Sequence, residues 1–366
     1  MTDPGPLLIV EDRVPHVDGG AGDPRAFLLA AALRRVRPTT PIVWAAVGAE
    51  GADTYAPALE RLGVEVCAGD VEGLLRSRVG QFRGVIVARP HNHARIRPWL
   101  DRLQPRAVRI YDTESLFHRR SLREAAVHGD LAAEQRAGAE IGAEAAAILW
   151  ADGVLTVAAD AIDFVRAVHP DAPVAVCSYA VDTPAEVPGF AARAGLVCFG
   201  GFLAGPGGPN EDAATIAARR IAPAVGERLV IAGAAPTPAV LALADERTEV
   251  VGRIDDPVAY LARFRVHLCP LRYGAGLKIR LVDAAAAGTP TVMTPCAAEN
   301  LGLDAELTEL LVADEPEAQA RLARALLDDP VRWSVASDGV RALGASSFTR
   351  DRFEAALAGL LDALGL

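Results

Sequence analysis

The sequence predicts an α/β protein made of two parallel sheets, each wrapped by helices. Two observations lead there. Short apolar runs alternate with amphipathic stretches along nearly the whole chain, the pattern left by strand–helix–strand crossovers. The 366 residues are also 51% hydrophobic and 23% charged, enough for two buried cores and too apolar for a disordered chain. Aromatics make up only 5%, so Ala, Val and Leu must build those cores.

In the first half, strands are expected at Leu7–Val10, Pro41–Val47, Val64–Ala68, Gly84–Ala88, Ala107–Asp112, Gly153–Ala158 and Pro173–Ser178, where aliphatic and β-branched residues cluster between turn signals. Helices lie between them. The clearest begins at Asp23-Pro24: Asp23 is placed to cap, Pro24 suits a first turn, and Phe27, Leu28, Ala31 and Ala32 share a face. The second half repeats the scheme, with strands at Leu196–Phe199, Arg228–Gly233, Thr248–Ile254, Val266–Leu271, Pro290–Thr294 and Glu309–Ala313. Helices alone follow, at 315–329, 331–343 and about 349–364. Between the halves, Asp182-Thr-Pro-Ala-Glu-Val-Pro-Gly189 is rich in Pro, lacks hydrophobic periodicity and reads as a linker. The expected division is an N-terminal domain over 1–182, a linker at 183–190, a C-terminal domain over 191–348, and a last helix at 349–366 that packs back on the N-terminal domain.

Charge narrows the partners. The net charge is −10, and it divides evenly: residues 1–190 carry 20 Arg against 25 acids, and the remainder 17 basic residues against 22 acids. Neither half is a basic domain suited to nucleic acid or an anionic membrane, and the Arg-rich stretch Arg89–Arg123 reads as a solvated helical face. The five cysteines are odd in number, scattered and never spaced as CxxC, which points to free thiols in a reducing cytoplasm. Met-Thr-Asp-Pro-Gly-Pro lacks a signal-peptide pattern, and no run of 18 uncharged apolar residues occurs. A soluble, cytoplasmic protein is expected.

Of the 37 basic residues, 36 are Arg; the one lysine is Lys278. It stands in Cys269-Pro-Leu-Arg-Tyr-Gly-Ala-Gly-Leu-Lys-Ile-Arg, where an apolar strand gives way to a glycine loop and then to a helix opening near Leu277. A glycine loop ahead of a helix N-terminus gathers free amides and the positive end of the dipole, which suits an anion. A cation in the first helical turn is disfavoured by roughly 0.3–1 kcal/mol in an empty protein. A bound phosphate reverses that sign. Asp283, five residues on, could accept from a ribose or simply be solvated. A second glycine loop, Gly200-Gly201, follows the strand Leu196–Phe199 of the same sheet, so both loops belong at one carboxyl edge.

In the first half, Gly19, Gly20 and Gly22 follow a strand but do not form GxGxxG, which argues against a dehydrogenase. Asp112, Glu114 and His118 leave another strand close together; such groups bind sugar hydroxyls, move protons or serve structure. No DxD stands in a loop and His and Cys do not cluster, so no metal is expected. Asp255-Asp256 is adjacent rather than spaced and should cap the helix starting at Pro257.

The order of Gly-Gly-Phe after a strand, Val-Ile-Ala-Gly, Val-Val-Gly-Arg-Ile-Asp-Asp, then Leu-Cys-Pro-Leu-Arg-Tyr-Gly-Ala-Gly-Leu-Lys and Ala-Ala-Ala-Gly-Thr-Pro-Thr-Val resembles the retaining GT-B glycosyltransferases of family 4 (group 1). The resemblance covers nearly the whole chain and is densest from 196 to 314. It implies two Rossmann-like domains facing a central cleft, a nucleotide-sugar donor as co-substrate on the C-terminal domain, an acceptor mainly on the N-terminal one, and transfer with retention and without metal or other cofactor. Carried over to this chain, Lys278 and the Gly274, Ala275, Gly276 and Leu277 amides hold the diphosphate, with Gly200 or Gly201 facing it. Asp283 takes the ribose, Gly252 to Ile254 border the base, and His118 approaches the donor sugar. Gly19, Gly20 and Arg25 line the cleft opposite, with Asp112 and Glu114 on the acceptor side. Lys278 and His118 are the implied catalytic residues.

Two departures stand out. The family's glutamates eight apart correspond to Ala275 and Asp283 here, and an Arg/Lys pair beyond Gly201 is replaced by Phe202-Leu-Ala-Gly-Pro. Arg253 or Arg272 could supply the missing charge. The alternatives to a transferase are a degenerate GT-B protein acting as a scaffold and a nucleotide-sugar epimerase.

Overall fold

The computed structural model describes residues 5–17, 19 and 22–366. One sheet holds β1 (Leu7–Glu11), β2 (Ile42–Ala46), β3 (Val64–Ala68), β4 (Gly84–Ala88), β5 (Val108–Asp112), β6 (Gly153–Thr156) and β7 (Val174–Val176), in the order β3-β2-β1-β4-β5-β6-β7. The other holds β8 (Leu196–Phe199), β9 (Leu229–Ala232), β10 (Thr248–Val251), β11 (Val266–Cys269) and β12 (Thr291–Met293), in the order β10-β9-β8-β11-β12. All neighbours are parallel, with Leu7 opposite both Ile42 and Gly84, and Val197 opposite both Val230 and His267. β1, β2, β4 and β11 are buried at every position. Helices cover both faces of such sheets, which is why their strands read as unbroken apolar runs.

The chain forms two compact units. The first comprises the residues up to Ala125, Asp130–Tyr179 and Arg350–Leu366; the second comprises Ala126–Gly129 and Ala180–Thr349. The last helix, Arg350–Ala363, therefore belongs to the first unit, packed on helix Asp23–Val36 and on β7 with Phe353 and Leu357 buried. The core of the first unit gathers Leu8, Val10, Val43, Val85, Tyr111, Ile148 and Trp150; that of the second gathers Val197, Leu261, Phe264, Ala284 and Ala287.

Three local expectations need correction. Glu309–Ala313 is not a strand: helix Ala305–Leu311 runs through it, capped by Asp304, whose carboxylate accepts from Leu307 N at 2.8 Å. Leu307 and Leu311, one turn apart, form its buried side, and only Val312 makes an isolated bridge to Met293. Asp23 does not cap its helix; Gly22 is the N-cap residue, and Asp23 instead pairs with Arg13 at 2.7 Å. Lys278 is the N-cap residue of helix Ile279–Ala286 rather than part of its first turn. Asp256 does cap the helix at Pro257, accepting from Ala259 N at 3.0 Å.

In each sheet the strand order reverses once, between β1 and β4 and between β8 and β11. Open parallel sheets bind ligands outside the carboxyl ends of the strands at such reversals.

Candidate functional site

At the reversal in the second sheet, β8 runs into Gly200-Gly201 and β11 into the loop 270–278. Sheet pairing between these strands covers only Leu196–Val266 and Val197–His267. Beyond it the His267 side chain takes over: Phe199 N donates to its Nε2 at 3.3 Å, and its Nδ1 lies 3.0 Å from Thr291 Oγ1. Burial, with Arg280 adding to it, pushes this imidazole down to about 3, so it is neutral and fixes the end of β8 as a hydrogen-bond acceptor.

The loop 270–278 is pinned from several sides. Tyr273 OH donates to Gly207 O, Arg272 pairs with Asp212 through Nε at 2.8 Å, and Thr294 Oγ1 donates to Leu271 O. Gly274 and Gly276 have φ of 152° and 68°, a backbone path that side chains disfavour. Ala275 and Leu277 are half-buried. Lys278 is 7% exposed, and its Nζ donates to Cys296 O at 2.7 Å. Its backbone thus opens the helix, and its ammonium has a carbonyl as one partner.

A residue the sequence reading passed over stands here as well. Arg280 Nη2 donates to Asn210 Oδ1 at 2.6 Å and Nη1 to Phe199 O at 3.4 Å, while Asn210 Nδ2 donates to Gly201 O. A β-carbon on Gly200 would stand 2.2 Å from Arg280 Nη1, so the guanidinium lies directly on the first glycine loop. Arg253 and Arg272 lie otherwise: Arg253 is near Asp255 at 3.3 Å and Arg272 is held by Asp212, both with exposed side chains. The signal for Arg280 was its place two residues after Lys278.

Asp283 is buried on helix Ile279–Ala286. Burial, and then the charge of Asp256, pushes its carboxyl up to about 7. A hydroxyl donating to it would favour the ionised form.

In the first unit, the loops after β1, β4 and β5 meet at the other reversal. Arg89 (φ 71°) and Glu114 (φ 50°), two of four described non-glycine residues with positive φ, pair at 2.7 Å. Arg89 also binds Asp12, which receives Asn92 Nδ2 at 2.7 Å and lies 2.6 Å from His91 Nε2. Burial opposes ionisation of Asp12, but the His91 hydrogen bond and the Arg89 charge outweigh it and hold the carboxyl near about 2. Arg25 donates to Asp112 Oδ2 at 2.7 Å and to Cys177 O at 2.8 Å. Asp112 also accepts from Glu114 N at 3.0 Å.

His118 is buried on helix Phe117–His128, and its Nδ1 meets Glu144 Oε2. Glu144 is fully buried on helix Leu131–Trp150, on the same side as Ala137, Ala147 and Ile148. A carboxylate on an alanine stripe is the signal that could have found it. A β-carbon on Gly19 would stand 2.9 Å from His16 O, so this turn is tight; Gly20 lies outside the described residues.

Residues 195–329 match the family model of glycosyl transferases group 1. No curated protein matches the chain by sequence. Among solved structures, sucrose-phosphate synthase from Thermosynechococcus elongatus superposes with a TM-score of 0.72 at 15% identity, over 99% of each chain. Anabaena HepE, solved with UDP and glucose, gives 0.69 at 11% identity over 98% of this chain and 100% of the other. A glycosyltransferase from Rickettsia africae gives 0.61 at 9% identity over 98% of each. At these identities the likeness is one of fold, and the fold is GT-B.

Proposed function

We infer that this chain, which has a GT-B fold and matches the glycosyl transferases group 1 model over residues 195–329, moves a sugar from a nucleoside-diphosphate sugar to an acceptor with retention of anomeric configuration. The observation that carries the inference is the joining of two glycine loops, two cations and a helix N-terminus at one sheet edge: Gly200-Gly201, Gly274–Leu277, Lys278 and Arg280. A leaving diphosphate gains charge as its bond to the sugar breaks. Fixed amides and cations stabilise that charge without reorganising, and removing one such donor commonly costs roughly 3–4 kcal/mol of barrier. Arg280 takes the part of the Arg/Lys pair that the sequence lacks. Asp283 accepts from the ribose and ionises as it does so. UDP is the first nucleotide to test, since HepE was solved with UDP-glucose.

On the acceptor side, His118 contacts the sugar, its ring oriented through Nδ1 by Glu144. Arg25 and Asp112 form a buried ion pair behind the acceptor side of the first unit, which Glu114 borders. The proposed reaction takes no metal, because Lys278, Arg280 and the helix dipole meet the diphosphate charge. A cytoplasmic site suits the five free cysteines. Among the described residues no helix is long and apolar enough to cross a membrane.

One observation favours a non-catalytic reading: Ala275 stands where the first family carboxylate would be. Product analysis separates the two. With an α-linked UDP-sugar, purified protein and an acceptor in excess chelator, an α-linked product is expected at undiminished rate. A β-linked product, or activity lost and restored by manganese, contradicts retention or metal independence respectively. Epimerised donor without acceptor would indicate the epimerase, and no turnover of any donor the scaffold.

A further inference from the structure

We propose that His267 is a positioning residue for the nucleotide donor: its imidazole, held in one tautomer by Thr291, sets the Gly200-Gly201 loop where the diphosphate needs it. The proposal rests on the transferase reading and adds a residue to its donor site. The second sheet opens between β8 and β11. There β9 stays paired with β8 as far as Phe199, opposite Ala232, and β12 stays paired with β11 as far as Cys269, opposite Met293. Between β8 and β11, pairing stops at Val197 and His267, two residues short of the end of either strand. The two glycine loops leave from the two sides of this opening, so whatever holds its root sets how the loops stand to one another.

His267 holds that root with its side chain. It is 0% exposed, on a strand buried at every position, where a polar ring is costly unless its nitrogens are satisfied. Both are: Nε2 lies 3.3 Å from Phe199 N, and Nδ1 lies 3.0 Å from Thr291 Oγ1, itself buried on β12. An amide can only donate, so Nε2 carries the lone pair, Nδ1 carries the proton, and the Thr291 hydroxyl accepts it. Phe199 O in turn accepts from Arg280, so side chains hold both backbone groups of the residue just before Gly200. An aliphatic residue at 267 would leave the Phe199 amide without that acceptor and the end of β8 free to shift. The ring is sealed from solvent and does not touch the donor. It acts through Phe199 and Gly200.

The test applies nitrogen-15 NMR of the histidine rings, amide hydrogen exchange, and binding of UDP and of uridine to the full chain and three variants. In the wild type, the His267 ring is expected neutral at pH 7 and protonated on Nδ1. His267→Phe keeps a ring and removes the acceptor. Its ratio of UDP to uridine affinity should fall about tenfold or more, because the misplaced loop faces the phosphates, and its Phe199–Gly201 amides should exchange faster. His267→Gln, whose Oε1 reaches the place of Nε2, should recover most of both. Thr291→Val, which keeps shape and removes the hydroxyl that fixes the tautomer, should lower the ratio in the same direction; it carries the comparison if the phenylalanine variant does not fold. A residue needed for stability alone would lower the melting temperature and leave the ratio at its wild-type value. That result, an Nε2-protonated ring in the wild type, or a glutamine variant no better than phenylalanine overturns the proposal. Failure of the wild type to bind UDP counts instead against the transferase reading, and the tautomer and amide exchange still decide whether His267 sets the loop.

Discussion

Lys278→Ala is expected to lower turnover and donor affinity by about 10²-fold or more, measured by initial rates and by UDP calorimetry. Lys278 is the N-cap residue of helix Ile279–Ala286, following a loop whose backbone is fixed by Gly274, Gly276 and the contacts of Tyr273 and Arg272. From sequence alone, its removal should be neutral or slightly stabilising for the empty protein. The bond from Nζ to Cys296 O changes that expectation, since a carbonyl then loses a charged donor. Alanine should therefore also cost about 1–2 kcal/mol of stability, with the fold retained. Lys278→Arg is the sharper variant. Arg serves at the other 36 basic positions, so charge alone does not require a lysine. A planar guanidinium fork is bulkier than the compact ammonium and does not fit in its place beside Cys296 O and the fixed amides, so turnover should fall for arginine as well. Wild-type rates in the arginine variant would make the lone lysine an accident of composition.

Gly233→Ala is expected to destabilise the second unit by more than about 2 kcal/mol and to weaken UDP binding with it. Gly233 follows β9 with φ 155°, and its amide donates to Gly252 O at 3.0 Å. A β-carbon there would stand 2.1 Å from Gly200 O, a backbone atom that cannot swing aside. The two loops are already tied together, Gly200 N to Ala232 O at 3.0 Å and Phe202 N to Ala234 O at 2.9 Å. Relieving the clash must therefore displace the Gly200 loop. Gly201→Ala provides the contrast: its β-carbon meets nothing nearer than Leu203 at 3.7 Å. Thermal unfolding should leave Gly201→Ala near wild type while UDP affinity drops, because the methyl occupies space that the donor needs. Equal stability of the two variants would refute the account of the loop.

The strands were legible because parallel sheets bury both faces, so each strand announces itself as a short apolar run between turn signals. The one false strand, Glu309–Ala313, shows the limit: Leu310-Leu311-Val312 has no period to separate strand from helix, and the Asp304 cap decided it. The glycine loops and Lys278 were visible because their chemistry lies in a few consecutive residues. What escaped was pairing at a distance. Glu144 meets His118 across 26 residues, and Arg25 meets Asp112 across 87. Arg280 reaches back 81 residues to Phe199 O, whereas Arg272 reaches 60 residues to Asp212 instead; the place of Arg280 two residues after Lys278 was visible, but which of the arginines lies on the first glycine loop was not. The partners of a side chain are set by strand order, and strand order is not written in spacing.

The most direct measurement is a crystal structure of the protein with UDP. The account predicts the diphosphate at the β8–β11 reversal of the second sheet, its oxygens about 2.7–3.2 Å from amides of the 274–278 loop and from Lys278 Nζ or Arg280, with a ribose hydroxyl on Asp283. A diphosphate bound instead to the Gly19–Gly22 loop of the first unit, or no nucleotide at saturating UDP, would contradict it.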